Sequence, residues 1–205
     1  MKIRNKKFIY LISPNKIINN LFYNNLDLVL KSKKVTFFQL RLKKERINKK
    51  IIIAKRILKI CKKNNVKLII NDNPFLANEV NADGCHLGQK DMNISKAKKI
   101  LKNKIIGITC HNSIKLAKYA SSNGANYIAL GAFYKTKTKK VTHKVSFKTL
   151  NKIKKSVKIP VVAIGGINHK NYKKLLLNKA DFLAISSYIW NNKKYKPYEA
   201  IKKLV

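Results

Sequence analysis

The chain has 205 residues, of which 45% are hydrophobic. That is enough to bury a core, and it excludes a mainly disordered state. Three cysteines, Cys61, Cys85 and Cys110, are too few for a disulfide framework and lack the spacing of metal ligands. No apolar run approaches the roughly 18 residues that a membrane-spanning helix needs, and the stretch behind the basic N-terminus is too short for a signal peptide. We therefore expect one soluble, cytoplasmic domain over residues 1–205, with no membrane partner.

The net charge of +39 comes from 47 Lys and Arg against 8 Asp and Glu, and it first suggests a nucleic-acid binder. However, the lysines are spread along the chain between apolar segments, as in the pairs at 98–99, 154–155 and 173–174. No recognition motif with interleaved aromatic residues accompanies them. We predict solvated helix faces in a Lys-rich composition, with weak, salt-sensitive binding to polyanions and no specific nucleic-acid partner.

Short β-branched and aromatic runs alternate with segments of helical spacing along the chain. We predict eight strands, several of them apolar throughout, as strands buried on both faces are: Phe8–Ser13, Val35–Arg41, Lys67–Asp72, Gly84–Gly88, Ile105–Cys110, Tyr127–Phe133, Ile159–Gly166 and Phe182–Trp190. Polar caps and prolines predict helices over Ile114–Ser122 and Asn168–Asn178, from Pro197 onwards, and from a start at Pro74.

Eight strand–helix units, each about 26 residues long, predict an α/β fold of one domain, a single (β/α)8 TIM barrel. The alternative is a doubly wound open sheet, which has the same alternation of strands and helices. The barrel is favoured because polar and glycine-bearing segments follow nearly every strand, where barrel enzymes carry their active sites.

The segments that follow the strands suit phosphate and metal chemistry. Asp72 and Asp91 offer hard carboxylate oxygens for Mg²⁺, which takes its remaining ligands from water and substrate phosphates. Arg41, Lys43 and Lys139 supply positive charge for those phosphates. Glycines 165 and 166, with the turn at 185–186, match the phosphate cup of a barrel, and the threonines at 136 and 138 suit a second anion.

Each of these signals has a plainer structural interpretation. Asp72 could cap the helix that starts at Pro74, and the Gly165-Gly166 pair could be only a turn. The Thr-Lys run over 136–139 could be a solvated loop, and His86 is expected to be a hydrogen-bonded core histidine. The ordered set, rather than any one member, indicates a site for two phosphorylated groups.

In this order, the segments resemble the motifs of the thiamine phosphate synthase family. The resemblance covers about Val35 to Ile189, and its most specific block is Ala82–Asp91, which reads Ala-Asp-Gly-Cys-His-Leu-Gly-Gln-Lys-Asp. It implies a Mg²⁺-dependent transferase that joins hydroxymethylpyrimidine diphosphate to a thiazole phosphate and releases pyrophosphate. No protein nucleophile is required, which agrees with the lack of a Ser-His-Asp or Cys-His arrangement.

The resemblance also implies a role for individual residues, with Asp72 and Asp91 as the metal ligands. The implied pyrimidine diphosphate site consists of Gln39, Leu40, Arg41, Leu42, Lys43, Asn71, Thr109 and Lys139. The implied thiazole phosphate site consists of Thr136, Lys137, Thr138, Gly166, Ile185 and Ser186. The implied catalytic side chains are Arg41, Lys43, Lys139 and Thr109.

The chain departs from the family pattern at four positions: Leu42 stands for Glu, Thr109 for Ser, Asn126 for Asp and Ala132 for Pro. Thr109 retains the hydroxyl, whereas Leu42 removes a carboxylate. Two alternatives remain open: a related thiazole tautomerase, and a non-catalytic barrel that binds a phosphate ligand or a polyanion. A homo-oligomer is also left open.

Overall fold

The computed structural model describes residues 7–136 and 143–204, and its eight parallel strands form a closed barrel in chain order. The strands are β1 (Ile9–Ile12), β2 (Val35–Leu40), β3 (Lys67–Asn71), β4 (Gly84–Leu87), β5 (Ile105–His111), β6 (Tyr127–Gly131), β7 (Val161–Ile164) and β8 (Phe182–Ile185). Closure is direct, because Ile9 of β1 pairs with Leu183 of β8. The predicted barrel is confirmed, and the open sheet is excluded.

Helices lie between consecutive strands, and two further helices follow the last strand. They are α1 (Leu21–Leu30), α2 (Ile47–Lys63), α3 (Pro74–Glu79), α4 (Ile94–Leu101), α5 (Ile114–Ser122), α6 (Phe147–Ser156), α7 (Tyr172–Leu177), α8 (Ser187–Trp190) and α9 (Pro197–Lys202). Side chains of Asn73, Asn93, Ser113 and Ser146 cap the helices that follow them by accepting a backbone N–H. The predicted bounds of α5 and the predicted starts at Pro74 and Pro197 are confirmed. None of the helices in the described part is long and apolar enough to cross a membrane.

The largest errors in the predicted bounds are at two late elements, and the other predicted strands end within two residues of the observed ones. Strand β8 ends at Ile185 and not at Trp190, because Ser187–Trp190 forms the short helix α8. An apolar segment of four residues suits either state by its pattern alone. Helix α7 begins at Tyr172 and not at Asn168, because the Asn171 side chain accepts the Asn168 N–H at 2.9 Å in a preceding turn.

Two packed regions hold the barrel together. One lies between the sheet and the helices, and the other fills the interior of the barrel around Tyr10 and Tyr127, both 2% exposed. A Cβ at Gly107 would overlap the Tyr127 ring, so this glycine of β5 provides the space that the tyrosine of β6 occupies. The interior is therefore filled by side chains, as in other barrels of this kind.

A repeated hydrogen bond marks the end of the barrel opposite the carboxyl ends of the strands. The residue before β4, β6 and β8 accepts a backbone N–H near the start of the strand before it. The pairs are Asp83 with Leu68 at 2.8 Å, Asn126 with Ile106 at 2.8 Å and Asp181 with Val161 at 2.7 Å. The amide oxygen of Asn126 can accept the Ile106 N–H just as a carboxylate oxygen would. The hydrogen bond is therefore retained although the family has Asp at this position.

The lysine pairs chosen from the sequence lie mainly on helix surfaces. Both lysines at 98–99 and both at 173–174 are exposed. Lys154 differs, since its side chain is only 20% exposed and its Nζ lies 2.6 Å from Asp181 Oδ2. The even spread of positive charge thus follows the helix faces, as predicted.

Candidate active site

The carboxyl ends of β2 to β5 bring several of the predicted site residues to one mouth of the barrel. Asn71 ends β3 and pairs in register with His86 of β4. Asp72 follows Asn71, and its N–H donates to the His86 carbonyl at 2.8 Å. The backbone of Asp72 is in the left-handed region, with φ of 65°, which Asp tolerates better than most side chains.

Asp72 and Asp91 lie beside each other at the mouth. Asp91 Oδ2 also accepts the Gly88 N–H at 2.7 Å, which anchors it in the loop after β4. Burial and the neighbouring Asp72 carboxyl raise the pKa of Asp91 above its usual value. Two carboxylates this close need a shared proton or a cation between them.

Lys43 provides positive charge beside this pair. Its Nζ lies 3.2 Å from Asp72 Oδ2, and its side chain is 55% exposed at the mouth. The described ranges contain no cluster of three or more His, Cys, Asp or Glu side chains suited to a metal ion. Two hard carboxylates without further protein ligands nevertheless fit Mg²⁺, which retains waters and binds substrate phosphates.

Arg41 is held by the segment that follows β1. Its N–H donates to Ser13 Oγ at 2.9 Å, and its Nη1 donates to Asn15 Oδ1 at 3.3 Å. The Ser186 hydroxyl donates to the Ser13 carbonyl at 3.1 Å, so Ser13 joins the loops after β1, β2 and β8. Sequence reasoning missed Ser13; its signal was a polar residue at the exit of the first strand.

The residues next to Arg41 and Lys43 in the sequence have buried side chains. Gln39, Leu40 and Leu42 are each 3% exposed, and both leucines belong to the core between sheet and helices. Leu42 also lines a cavity of about 500 Å³ beside Asp72. The Leu42 side chain is therefore buried against the core, although Lys43 and Asp72 line the same cavity.

A chain of hydrogen bonds connects the barrel interior to Thr109. The hydroxyl oxygens of Tyr10 and Tyr127 are 2.7 Å apart, Tyr127 Oη is 3.0 Å from His86 Nδ1, and His86 Nε2 is 2.8 Å from Thr109 Oγ1. Burial lowers the pKa of His86 to about 4, although Asp72 opposes the shift. His86 is thus a hydrogen-bonded core histidine, as expected. Gln89 donates from its side chain to the Thr109 carbonyl, a contact that sequence reasoning did not identify.

The other predicted phosphate-binding residues lie at the exits of β6, β7 and β8. Gly166 has φ of 65°, and a Cβ there would overlap the Lys135 carbonyl. This glycine therefore lets the loop before Thr136 approach the loop after β7. Ile185 is 2% exposed. Three further predicted residues, Lys137, Thr138 and Lys139, lie outside the described residues.

The proposed helix-cap role of Asp72 is wrong. The α3 cap is Asn73, whose Oδ1 accepts the Leu76 N–H at 3.0 Å. Asp72 is consequently available to Asp91 and Lys43. Asp83, which lies between Asp72 and Asp91 in the sequence, is at the opposite end of the barrel, where its Oδ1 is 3.0 Å from Lys67 Nζ.

A closed (β/α)8 barrel with paired carboxylates, a lysine and an arginine at the carboxyl ends of its strands defines a barrel enzyme of the class that binds phosphorylated substrates. Comparison with known proteins narrows this class. Residues 9–189 match the family described as thiamine monophosphate synthase, and the chain belongs to that family.

Individual relatives agree with this assignment. The chain is 68% identical over 200 residues to the thiamine-phosphate synthase of Pelagibacter ubique, covering 98% of this chain and 97% of the relative. It is 40% identical to the enzyme of that name from Clostridium acetobutylicum, covering 92% and 89% of the two chains. The solved thiamine phosphate pyrophosphorylase from Pyrococcus furiosus superposes with a TM-score of 0.86 at 30% identity, covering 99% of this chain and 96% of that one.

Proposed function

We propose that the protein is a thiamine phosphate synthase, which joins hydroxymethylpyrimidine diphosphate to a thiazole phosphate and releases pyrophosphate. The observation that carries the proposal is the contact of Asp72 with both Asp91 and Lys43 at the barrel mouth. A pair of carboxylates that can hold Mg²⁺, with a lysine beside them, suits a diphosphate leaving group. The family match over most of the chain supports the same activity.

Asp72 and Asp91 would hold Mg²⁺, because they present hard oxygens to one point and their mutual repulsion would be relieved by a divalent cation. When bound, the metal would supply Lewis-acid stabilisation of the negative charge on the diphosphate. The backbone N–H of Gly88 keeps Asp91 directed to this point at 2.7 Å.

The chain's basic side chains would stabilise the leaving group. The bond between the methylene carbon and the diphosphate oxygen breaks, and its electron pair stays on the oxygen. Arg41, Lys43 and Lys139 would bind that developing charge, with Arg41 able to do so through two N–H groups. The lone pair of the thiazole nitrogen then forms the new bond to carbon, so no protein nucleophile takes part.

The pyrimidine would lie over the interior end of the mouth. Gln39, Asn71 and Thr109 supply amide and hydroxyl groups there, while Leu40 and Leu42 would contribute mainly backbone and packing, since both side chains are buried. The half-buried Thr109 carries the hydroxyl that the family's serine has, and its position beside His86 is determined by the bond of 2.8 Å.

The thiazole phosphate would bind on the other side of the mouth. Thr136, Lys137 and Thr138 would form one part of its site, and Gly166, Ile185 and Ser186 the other. The close approach of Gly166 to the Lys135 carbonyl supports this arrangement, because it joins the two parts. Backbone N–H groups in such loops bind phosphate without the need for a side chain.

A two-substrate assay tests the proposal. Purified protein with Mg²⁺ and both substrates should yield thiamine phosphate and pyrophosphate in equal amounts, and chelation of the metal should stop the reaction. Absence of product beside an active control synthase would contradict the proposal. Tautomerisation of a thiazole phosphate without condensation would instead favour the tautomerase alternative.

A further inference from the structure

A hydrogen-bond chain from Tyr10 to Thr109 crosses the interior of the barrel, and its members Tyr10, Tyr127 and His86 have no part in the chemistry described above. It joins side chains from β1, β6, β4 and β5. The buried side chain of Gln39 lies beside Tyr10 and opposes the effect of burial on the pKa of Tyr10. Gln39, beside one end of the hydrogen-bond chain, and Thr109, at its other end, both belong to the proposed pyrimidine site.

The direction of the hydrogen bonds follows from the chemistry of the groups. A neutral imidazole donates from one ring nitrogen and accepts at the other. A phenol, with a pKa of about 10, is a stronger donor and a weaker acceptor than the aliphatic hydroxyl of threonine. The favoured pairing therefore has Tyr127 donating to His86 Nδ1, and His86 Nε2–H donating to Thr109 Oγ1.

The remaining bonds are consistent with this direction. Tyr127 uses its only hydrogen on His86, so the bond of 2.7 Å between the tyrosines must have Tyr10 as the donor. The Tyr10 oxygen then remains an acceptor, and the amide side chain of Gln39 lies beside it. Each hydroxyl hydrogen within the barrel has an acceptor, as buried polar groups require.

We infer that His86 is a positioning residue, which directs the hydroxyl hydrogen of Thr109 towards the barrel mouth and makes Thr109 a hydrogen-bond donor to a pyrimidine ring nitrogen. The inference rests on the proposed function for the identity of the ligand. Thr109 accepts from His86, so its own hydrogen must point elsewhere, and Thr109 is half-buried at the mouth. The same direction results if His86 carries a hydrogen on both nitrogens.

The surrounding structure maintains this arrangement. Gly107 leaves the space that the Tyr127 ring occupies, and the Tyr127 ring stacks on His86 with 18° between the planes. From the outer side, Gln89 donates to the Thr109 carbonyl. Thr109 is therefore held through both its side chain and its backbone.

The tautomer of His86 can be measured without substrate. In protein labelled with ¹⁵N at histidine, long-range proton–nitrogen spectra show which ring nitrogen carries hydrogen, and His86→Gln identifies the His86 signals by their loss. We expect hydrogen on Nε2 and a bare Nδ1. Hydrogen on Nδ1 with a bare Nε2 would overturn the inference, whether or not the protein has synthase activity.

Two tyrosine variants provide a matched functional test. Tyr127→Phe removes the donor to Nδ1, so His86 should populate both tautomers, and the KM for the pyrimidine diphosphate should rise about tenfold, the loss expected for one oriented hydrogen bond. The KM for the thiazole phosphate should change less than twofold. Tyr10→Phe removes an equally buried hydroxyl but leaves Tyr127 to donate, so the His86 tautomer should persist.

The outcomes separate the two proposals. An unchanged pyrimidine diphosphate KM in Tyr127→Phe, or equal rises for both substrates, would refute the positioning role of His86. If the wild-type protein binds the pyrimidine diphosphate with the expected tautomer but forms no product, the proposed synthase activity fails and the inference about Thr109 stands.

Discussion

The Asp91 carboxyl lies beside that of Asp72, although the two come from loops after different strands. Burial and this contact raise the pKa of Asp91, whereas Lys43 only partly opposes the shift. The pair is therefore less stable as two free anions than it would be in an unfolded chain. A site built in this way trades stability of the metal-free protein for affinity towards a divalent cation.

Asp91→Asn should separate stability from activity. The variant retains an oxygen for the Gly88 N–H but removes one charge, so in the absence of metal its Tm should exceed that of the wild type by about 2–4 °C, a shift typical of a change near 1 kcal/mol in a chain of this size. Turnover should fall by orders of magnitude. Calorimetry and the two-substrate assay measure the two effects.

The pH dependence of the same variant has a defined sign. A carboxyl whose folded pKa is raised loses stability relative to its uncharged replacement as pH rises from the unfolded pKa, about 3.9, through the folded value. The Tm difference between Asp91→Asn and wild type should therefore be absent near pH 3 and grow to a plateau by neutral pH. Added Mg²⁺ should raise the Tm of the wild type alone. A Tm difference that shrinks with rising pH would contradict this account.

Asp83 provides a contrasting case, because its carboxylate accepts the Leu68 N–H at the end of the barrel away from the mouth. Asp83→Ala leaves that N–H without its acceptor and should reduce the free energy of unfolding by about 1–3 kcal/mol. The kcat at a temperature where the variant is folded should remain within twofold of wild type. Asn126→Asp, which retains the acceptor at the equivalent position, is the matched control and should unfold at nearly the wild-type denaturant concentration.

Leu42 can be tested by restoring the carboxylate of the family pattern. Leu42 is 3% exposed and packs in the core between sheet and helices, so Leu42→Glu places a charge in a cavity lined by apolar groups and by Lys43 and Lys50. We expect a loss of about 1–3 kcal/mol in the free energy of unfolding, since burying a carboxylate is costly even beside a cation, and no gain in kcat. Leu42→Met conserves volume and polarity and should cost less than about 1.5 kcal/mol. A Leu42→Glu protein with a higher kcat and unchanged stability would contradict this account and show that leucine at this position lowers activity.

The fold was predictable because its signals are local. Apolar runs alternate with helical segments along the chain, and nearly every run ends in polar residues that a closed barrel gathers at one mouth. The prediction of a strand over Ser187–Trp190 was wrong because four mainly apolar residues are too few to show the periodicity of a strand or a helix. The helical state is stabilised by a tertiary contact, the bond of 2.6 Å from Trp190 Nε1 to the Ile12 carbonyl.

The site was predictable in part for the same reason. Asp72 and Asp91 were recognised because each lies in a polar segment that follows a predicted strand. The role of Ser13 was not, since its partners Arg41 and Ser186 come from distant strands. The hydrogen bonds through Tyr127 and His86 likewise form only when the barrel closes, so no local sequence pattern predicts them.

Gly107→Ala tests the packing on which that chain depends. An added Cβ would overlap the Tyr127 ring, which is 2% exposed and has no free space to enter. The variant should lose about 1–3 kcal/mol of unfolding free energy through overpacking. Because the displaced tyrosine can no longer donate well to His86, the KM for the pyrimidine diphosphate should rise as well. Adding Tyr127→Phe should then cost little more in KM than Gly107→Ala alone, since residues in contact are not additive. Fully additive effects, measured in the double-mutant cycle, would show that Gly107 acts on the fold without acting through Tyr127.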